Sequence, residues 1–302
     1  MKTIKINFVD FWPNFIKIDN YFYNLLATQY NVVIDENNPD VLFFSVDYNN
    51  ARERDKFKNC LRIFFTGENV APNWDECDIA FTFRHSTDER EYRLPLWALH
   101  LNWFHRPYNE DRDHANLVDV ETFMNKPKTL EKSKFCGFVA SQPKGKRVTF
   151  VPTLARLYKT PDCAGRLYNN VGNQLLDSNG NQSRGDQKYK IIWGSQFKFN
   201  IAMENCASPG YCTEKIIHAM FSNSIPIYWG SDTVEQDFNP DSFINCHKYA
   251  SDEEVVEVIK ELDNDNKKLA DMLLRQPWFK ENKIPDAVQP ENVLQFLNKW
   301  VN

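Results

Sequence analysis

Residues 197–230 read FKFNIAMENCASPGYCTEKIIHAMFSNSIPIYWG. Phe197, Phe199, Ile201 and Met203 alternate with other residues, the pattern of a strand. Glu204-Asn205 ends the run, and a loop with Pro209-Gly210 follows. Tyr211, Thr213, Glu214 and Lys215 then open a segment whose apolar residues, Ile216, Ile217, Met220 and Phe221, recur at helical spacing. Residues 225–230 read as a second, buried strand. The stretch is therefore a strand–helix–strand unit. In such units ligands collect beyond the carboxyl ends of the strands and at helix N-termini. The polar residues stand at those places.

A chain of 302 residues can bury one large core or two smaller ones. Aromatics make up 14% of it, which points to core or to sugar-facing surface. The net charge of −5 argues against a nucleic-acid binder held by phosphate contacts. No apolar run reaches the roughly 18 residues of a membrane helix, and the start carries no signal-peptide pattern. Seven cysteines are odd in number and scattered, without a CxxC pair, so free thiols in a reducing cytoplasm are expected. Asn181-Gln182-Ser183 matches a glycosylation acceptor, but without a secretion signal it reads as chance.

From the amino end, strands are expected over 4–8, 32–34, 41–46, 61–65 and 78–83. A helix is expected over 21–30, capped by Asp19 or Asn20. Residues 106–134 are charged and less periodic, which places a domain boundary near residue 130. A second series follows. It has a strand over 135–140, a basic loop over 141–147 and a helix over 148–158. After the central unit come a strand over 243–246, a helix over 252–262 capped by Ser251 or Asp252, and a terminal helix over 289–300. Alternating strands and helices in both halves predict parallel sheets in an α/β fold.

The combination of Glu-Asn, Tyr-x-Thr-Glu-Lys and Pro-Ile-Tyr-Trp-Gly at these spacings resembles the donor-binding motif of the α1,3-fucosyltransferases, an inverting family that uses GDP-fucose. Two further segments resemble bacterial members. One is FVAS at 138–141, followed by Arg147; the other is FFTGEN at 64–69. The resemblance implies a GT-B fold of two Rossmann-like α/β domains facing a central cleft. Residues 1–130 would bind the acceptor and 131–302 GDP-fucose, with the terminal helix packing back on the first domain. It implies fucosyl transfer to the 3-hydroxyl of an N-acetylglucosamine or glucose unit in a β-galactoside, giving a Lewis x type product. An α1,3/4 enzyme, another GT-B transferase and a non-catalytic carbohydrate-binding protein are the alternatives. Partners would be GDP-fucose and an oligosaccharide acceptor, with no nucleic acid and no integral membrane segment.

Lys215 stands at a helix start, where a cation is mildly unfavourable and must serve something else. The resemblance assigns it to the diphosphate of GDP; otherwise it is a solvated lysine. Arg147 would clamp the same phosphates through its planar fork, with Arg166 as rival. Glu214 would bond the ribose hydroxyls, or simply favour the first turn of the helix. Thr213 reads as a helix cap. Asn205 and Tyr211 would line the sugar and phosphate side of the pocket; Tyr211 is otherwise a core aromatic. Glu68, after the strand over 61–65, is the candidate catalytic base, or else a turn residue. Inversion needs a base for the acceptor's proton but no matching acid, because GDP leaves readily once its charge is neutralised.

No cofactor and no metal are expected. Asp111-Arg112-Asp113 and Asp263-Asn264-Asp265 fit an Asp-x-Asp pattern but read as solvated acidic surface, and no cluster has zinc spacing. The heptad repeat and basic tail of some bacterial members are not seen, nor the membrane anchor of animal members. A monomer or weak dimer, cytoplasmic or peripheral to a membrane, is expected.

Overall fold

The computed structural model describes all residues except 14, 49, 106–117, 173–174, 176–186 and 302, and the side chain of residue 188. The tripeptides at 111–113 and 181–183 therefore lie outside the described residues. The chain divides into two compact units. The first comprises 1–119 together with 285–302, and the second comprises 120–284. The division thus falls near 119, before the position expected near 130, because the segment ahead of 130 already folds as a helix of the second unit.

The first unit is built on six parallel strands: β1 (Thr3–Val9), β2 (Asn31–Ile34), β3 (Val41–Phe44), β4 (Leu61–Phe65), β5 (Ile79–Thr82) and β6 (Glu91–Arg93). Their order in the sheet is β2-β1-β3-β4-β5-β6. β3 and β5 are buried at every residue, which explains why they read as unbroken apolar runs. Helix α1 (Tyr21–Ala27) starts where the Asn20 side chain accepts the Tyr23 N–H at 3.0 Å. It lays Phe22 against Phe43, Phe65 and Phe81, with ring centroids 4.9–5.4 Å apart. Such aromatic packing carries much of the core energy of a unit this size. Helix α2 (Leu96–Leu99) and the short pair β7 (Leu101–Asn102) and β8 (Val118–Asp119) complete its first chain segment.

The second unit opens with helix α3 (Val120–Asn125). Its sheet has five parallel strands in the order β10-β9-β11-β12-β13. These are β9 (Lys134–Phe138), β10 (Asp162–Cys163), β11 (Phe197–Met203), β12 (Ile225–Trp229) and β13 (Ile244–Asn245). Helices α4 (Arg147–Leu157), α5 (Gln187–Gly194) and α6 (Lys215–Phe221) connect them. α7 (Asp252–Asn264), which starts at the Ser251 side chain, and the short α8 (Asn266–Ala270) follow. The opening stretch folds as β11–α6–β12, with Phe199 opposite Ile225 and Met203 opposite Trp229.

The chain then returns to the first unit as helix α9 (Pro290–Val301). Phe296 sets its ring on Phe81 and Tyr92, at 5.5 and 4.8 Å between centroids. Asn298 accepts the Tyr30 hydroxyl at 2.9 Å.

Asp263 departs from the sequence reading. It is 8% exposed rather than solvated, and it takes Lys159 at 2.6 Å, Lys198 at 2.7 Å and the Tyr158 hydroxyl at 2.8 Å. Asp265 caps α8 through the Lys267 and Lys268 N–H groups. All seven thiols are free. Among the described residues, no helix is long and apolar enough to cross a membrane, and no group of His, Cys, Asp or Glu has the makings of a metal centre.

Candidate active site

In the second sheet β9 leads outward to β10, whereas β11 leads the other way to β12 and β13. The winding therefore reverses between β9 and β11, and the carboxyl ends of those two strands diverge into a crevice. A cavity of about 230 Å³ lies there. Arg147, Asn205, Glu214 and Lys215 line it, four of the residues singled out in the sequence. The elements responsible are the start of α4, the end of β11 and the start of α6.

Lys215 does not extend freely into this space. Its ammonium lies 2.9 Å from the Glu204 carboxylate, 2.7 Å from the Thr213 hydroxyl and 3.7 Å from Glu214. Glu204 has no exposed surface. It accepts the Thr213 N–H at 2.8 Å, and the Thr213 hydroxyl sits 2.8 Å from both of its oxygens. Burial alone would lower the Lys215 pKa, but Glu204 and Glu214 outweigh it and the net shift is upward. The side chain is 28% exposed, so one side of a firmly protonated ammonium stays open to the cavity.

Arg147 is 3% exposed. Its Nη2 donates to the Met203 carbonyl at 3.0 Å and to Asn205 Oδ1 at 2.6 Å. Its Nε is buried without a partner among the described residues. Burial pushes its pKa down, against the pull of Glu204, Tyr211 and Glu214. A buried donor without an acceptor costs about 1–3 kcal/mol, which an anionic oxygen in the cavity would recover. Around Lys215 the two cations and the two carboxylates offset one another, and Lys190 is a third cation lining the cavity.

Glycines let these pieces approach. At Gly145 φ is +67°, and an added Cβ would stand 2.8 Å from the Glu204 carbonyl and 2.9 Å from that of Asn205. The basic loop can thus lie on the backbone after β11 and start α4 with Arg147 aimed at the site. At Gly230 a Cβ would come within 2.4 Å of Glu204 Cγ, so the end of β12 has to be bare for Glu204 to fit. The Gly210 N–H is held by the Ser231 and Thr233 hydroxyls at 2.8 and 2.9 Å, which fixes the turn leading to Thr213.

Two residues are placed differently from expectation, Tyr211 and Thr213, and the rival to Arg147 lies elsewhere. Tyr211 is 3% exposed and is not among the cavity's walls. The Tyr228 hydroxyl holds its carbonyl at 3.3 Å, so the residue packs under the loop. Thr213 caps nothing; α6 begins at Glu214, and the Thr213 hydroxyl serves Glu204 and Lys215. Arg166 is exposed and lines no part of this cavity. Sequence reasoning also missed part of the far wall, which α5 supplies through Lys190, Trp193 and Gly194. The signal available was Asn200, a polar residue inside an apolar strand. Its amide nitrogen donates to the Gly194 carbonyl at 3.0 Å and ties α5 to β11.

Glu68 belongs to the first unit, on the turn after β4, and is exposed. The Thr66 hydroxyl takes its N–H and donates to its carbonyl, both at 2.9 Å. The turn therefore fixes the backbone and leaves the carboxylate outside.

Comparison with known proteins fits both units. Residues 6–100 match the model of the alpha-(1,3)-fucosyltransferase FucT N-terminal domain, and residues 129–292 match that of glycosyltransferase family 10 (fucosyltransferase) C-term. An alpha-(1,3)-fucosyltransferase FucT of Helicobacter pylori is 31% identical over 282 residues, which is 86% of this chain and 56% of that protein. The chain thus spans about half the length of that relative. An alpha-(1,4)-fucosyltransferase of Arabidopsis thaliana is 39% identical over 71 residues, 24% of this chain and 18% of that one. A solved alpha1,3-fucosyltransferase with GDP-fucose superposes at a TM-score of 0.71 with 26% identity, covering 100% of this chain and 91% of that one. Its counterpart with GDP gives 0.73 at 28% identity, covering 99% and 90%. The two parallel α/β units are of the GT-B type, and the chain belongs to glycosyltransferase family 10, the fucosyltransferases.

Proposed function

We propose that this chain transfers fucose from GDP-fucose, with inversion, to the 3-hydroxyl of an N-acetylglucosamine or glucose unit in a β-galactoside. The observation that carries the reading is the convergence of Arg147, Asn205, Glu214 and Lys215 on one cavity at the switch point of the second sheet. That constellation suits a nucleoside diphosphate. Lys215 and Arg147 meet its phosphates, and Glu214 accepts from the ribose hydroxyls. Asn205, fixed by Arg147, offers its amide to the sugar–phosphate side. Tyr211 supports the loop from beneath instead of touching the donor.

In the reaction the acceptor oxygen attacks C1 of fucose, the C1–O bond to the β-phosphate breaks, and GDP leaves with that electron pair. Charge grows on the departing phosphate, where fixed cations stabilise it most. Glu68 takes the proton of the attacking hydroxyl, a contribution of about 10²–10⁴-fold in rate. The scheme assigns neutralisation to side chains, so activity is expected to persist in EDTA.

The test is turnover of GDP-fucose against lactose, N-acetyllactosamine and its β1,3-linked isomer, with the product linkage read by NMR. An α1,3-linked product from N-acetyllactosamine is expected. An α1,4 product from the isomer would move the linkage to that named for the Arabidopsis relative. Binding of GDP-fucose without turnover on any acceptor would reduce the chain to a carbohydrate-binding role.

A further inference from the structure

We propose that Lys132 is a positioning residue for the donor: it holds the carboxyl ends of α5 and α6 together and so sets the width of the cavity they line. The inference rests on that cavity being the GDP-fucose site. α5 lines it through Trp193 and Gly194, and α6 through Lys215, His218 and its C-cap residue Ser222. Two helices share no ladder of hydrogen bonds, so their spacing depends on side-chain packing and on whatever bridges their ends.

At their carboxyl ends the two helices approach closely: a Cβ on Gly194 would stand 2.8 Å from Ser222 Oγ. The last carbonyls of a helix have no partner inside it and carry the negative end of its dipole. Set side by side, two such ends repel. The Lys132 ammonium joins them, donating to the Ser195 carbonyl at 2.9 Å and to that of Ser222 at 3.2 Å. Ser195 directly follows α5, and Ser222 is the cap of α6. A second tie lies alongside, since the Ser222 hydroxyl donates to the Ile191 carbonyl at 3.0 Å. Ser222, which carries both ties, is itself a wall of the cavity.

The segment that presents Lys132 is pinned without it, which separates this bridge from a chance meeting of surface groups. Lys126 donates to the Phe221 carbonyl at 2.6 Å, and the Asn223 amide donates to the Thr129 carbonyl at 3.2 Å. The Lys128 ammonium lies 3.7 Å from the centroid of the Trp278 ring. Two residues after Lys132 the chain enters β9, whose Gly137 lines the cavity as well. One ammonium thus ties α5 and α6 to the start of a third element of the wall. Burial, then the Lys126 ammonium, lower the Lys132 pKa to about 8, so the group carries its charge at neutral pH.

Steady-state kinetics and GDP calorimetry on Lys132→Met, Lys132→Arg and Lys126→Met test this, with melting curves to confirm folding. Lys132→Met keeps the apolar stem and removes the charge. It should raise the KM for GDP-fucose and the Kd for GDP about tenfold, the worth of a hydrogen bond from a charged group, with kcat within about twofold and the acceptor KM unchanged. Lys132→Arg can still reach both carbonyls and should restore most of the affinity. Lys126→Met releases a carbonyl of α6 alone, so it should lower the melting temperature and leave the donor KM near wild type. Should Lys132→Met fail to fold, Lys132→Gln, which keeps a donor, takes its place with the same expected split. A wild-type donor KM in the folded Lys132 variant, or an equal rise in Lys126→Met, would overturn the proposal while leaving the cavity as donor site. Absence of GDP binding by the wild type would sink the donor assignment and this inference with it.

Discussion

Replacing Glu204 by glutamine changes one atom and no volume, yet it should be among the costliest substitutions in the second unit. The carboxylate is wholly buried and is surrounded by the Thr213 N–H, the Thr213 hydroxyl and the Lys215 ammonium, all within 2.9 Å. An amide keeps one acceptor oxygen but must turn two donors toward a hydroxyl and a cation. Breaking a buried ion pair from one side costs about 3–5 kcal/mol. Lys215 is partly exposed and retains Thr213 and Glu214, so about 2–3 kcal/mol is the fairer figure. In a unit of this size that lowers the unfolding midpoint by roughly 4–12 °C. Differential scanning calorimetry of Glu204→Gln without ligand reads it directly. Saturating GDP should then stabilise the variant at least as much as the wild type, because the diphosphate can serve as the missing counter-charge for Lys215. A midpoint within about 1 °C of wild type would show that the pair contributes no net energy, and the account of Glu204 as the buried counter-charge of Lys215 would fail.

Lys215→Ala should weaken GDP binding by calorimetry by about 1.5–3 kcal/mol with the fold intact, the worth of a charge-assisted contact; equal affinity would remove Lys215 from the phosphate site. Gly145→Ala meets both a positive φ and two carbonyls closer than 3.0 Å. It should destabilise by about 1–3 kcal/mol and also weaken GDP binding, since Arg147 follows two residues later; a loss of stability alone would refute the coupling. The Asp35 carboxyl is held down to about 2 by the Asn38 N–H, then by Lys5 and the Asn37 N–H. Its stabilisation is full above the unfolded value near 3.9 and fades as pH falls through about 2. The stability gap between wild type and Asp35→Asn should therefore be open at pH 6 and nearly closed at pH 2; a gap independent of pH would contradict the assignment.

Much of this molecule was legible in the sequence because its main parts are contiguous. Residues 61–65 form a strand with the expected bounds, and 197–230 holds strand, helix and strand within one stretch. Four of the five expected donor residues line one cavity for the same reason: three lie in that stretch, and Arg147 opens the helix after the neighbouring strand. Elements of two or three residues, such as β6, β10 and β13, are too short to show a period, so β6 and β10 went unread and β13 was drawn too long. Glu204 was legible as a residue but not as a partner. Its role depends on the loop of 205–212 folding back to bring Thr213 and Lys215 over it, and Gly210 and Gly230 permit that geometry without announcing it. Tyr211 was misplaced because an aromatic beside a motif reads alike whether its ring faces the ligand or the core. Asp263 was misread because Lys159 and Lys198, which neutralise it, lie about 100 and 65 positions away.

The return of α9 to the first unit sets the order in which this chain can be completed on a ribosome. The whole sheet of that unit is made before residue 94, but the surface of Phe81 and Tyr92 waits for Phe296. Between the two lies the entire second unit, residues 120–284. At about 5–20 residues per second, the apolar patch stands uncovered for roughly 10–40 s. The second unit, by contrast, is one unbroken piece of chain and can close as soon as it emerges. The amino-terminal half of this protein is therefore the last to finish and the first that a chaperone would meet.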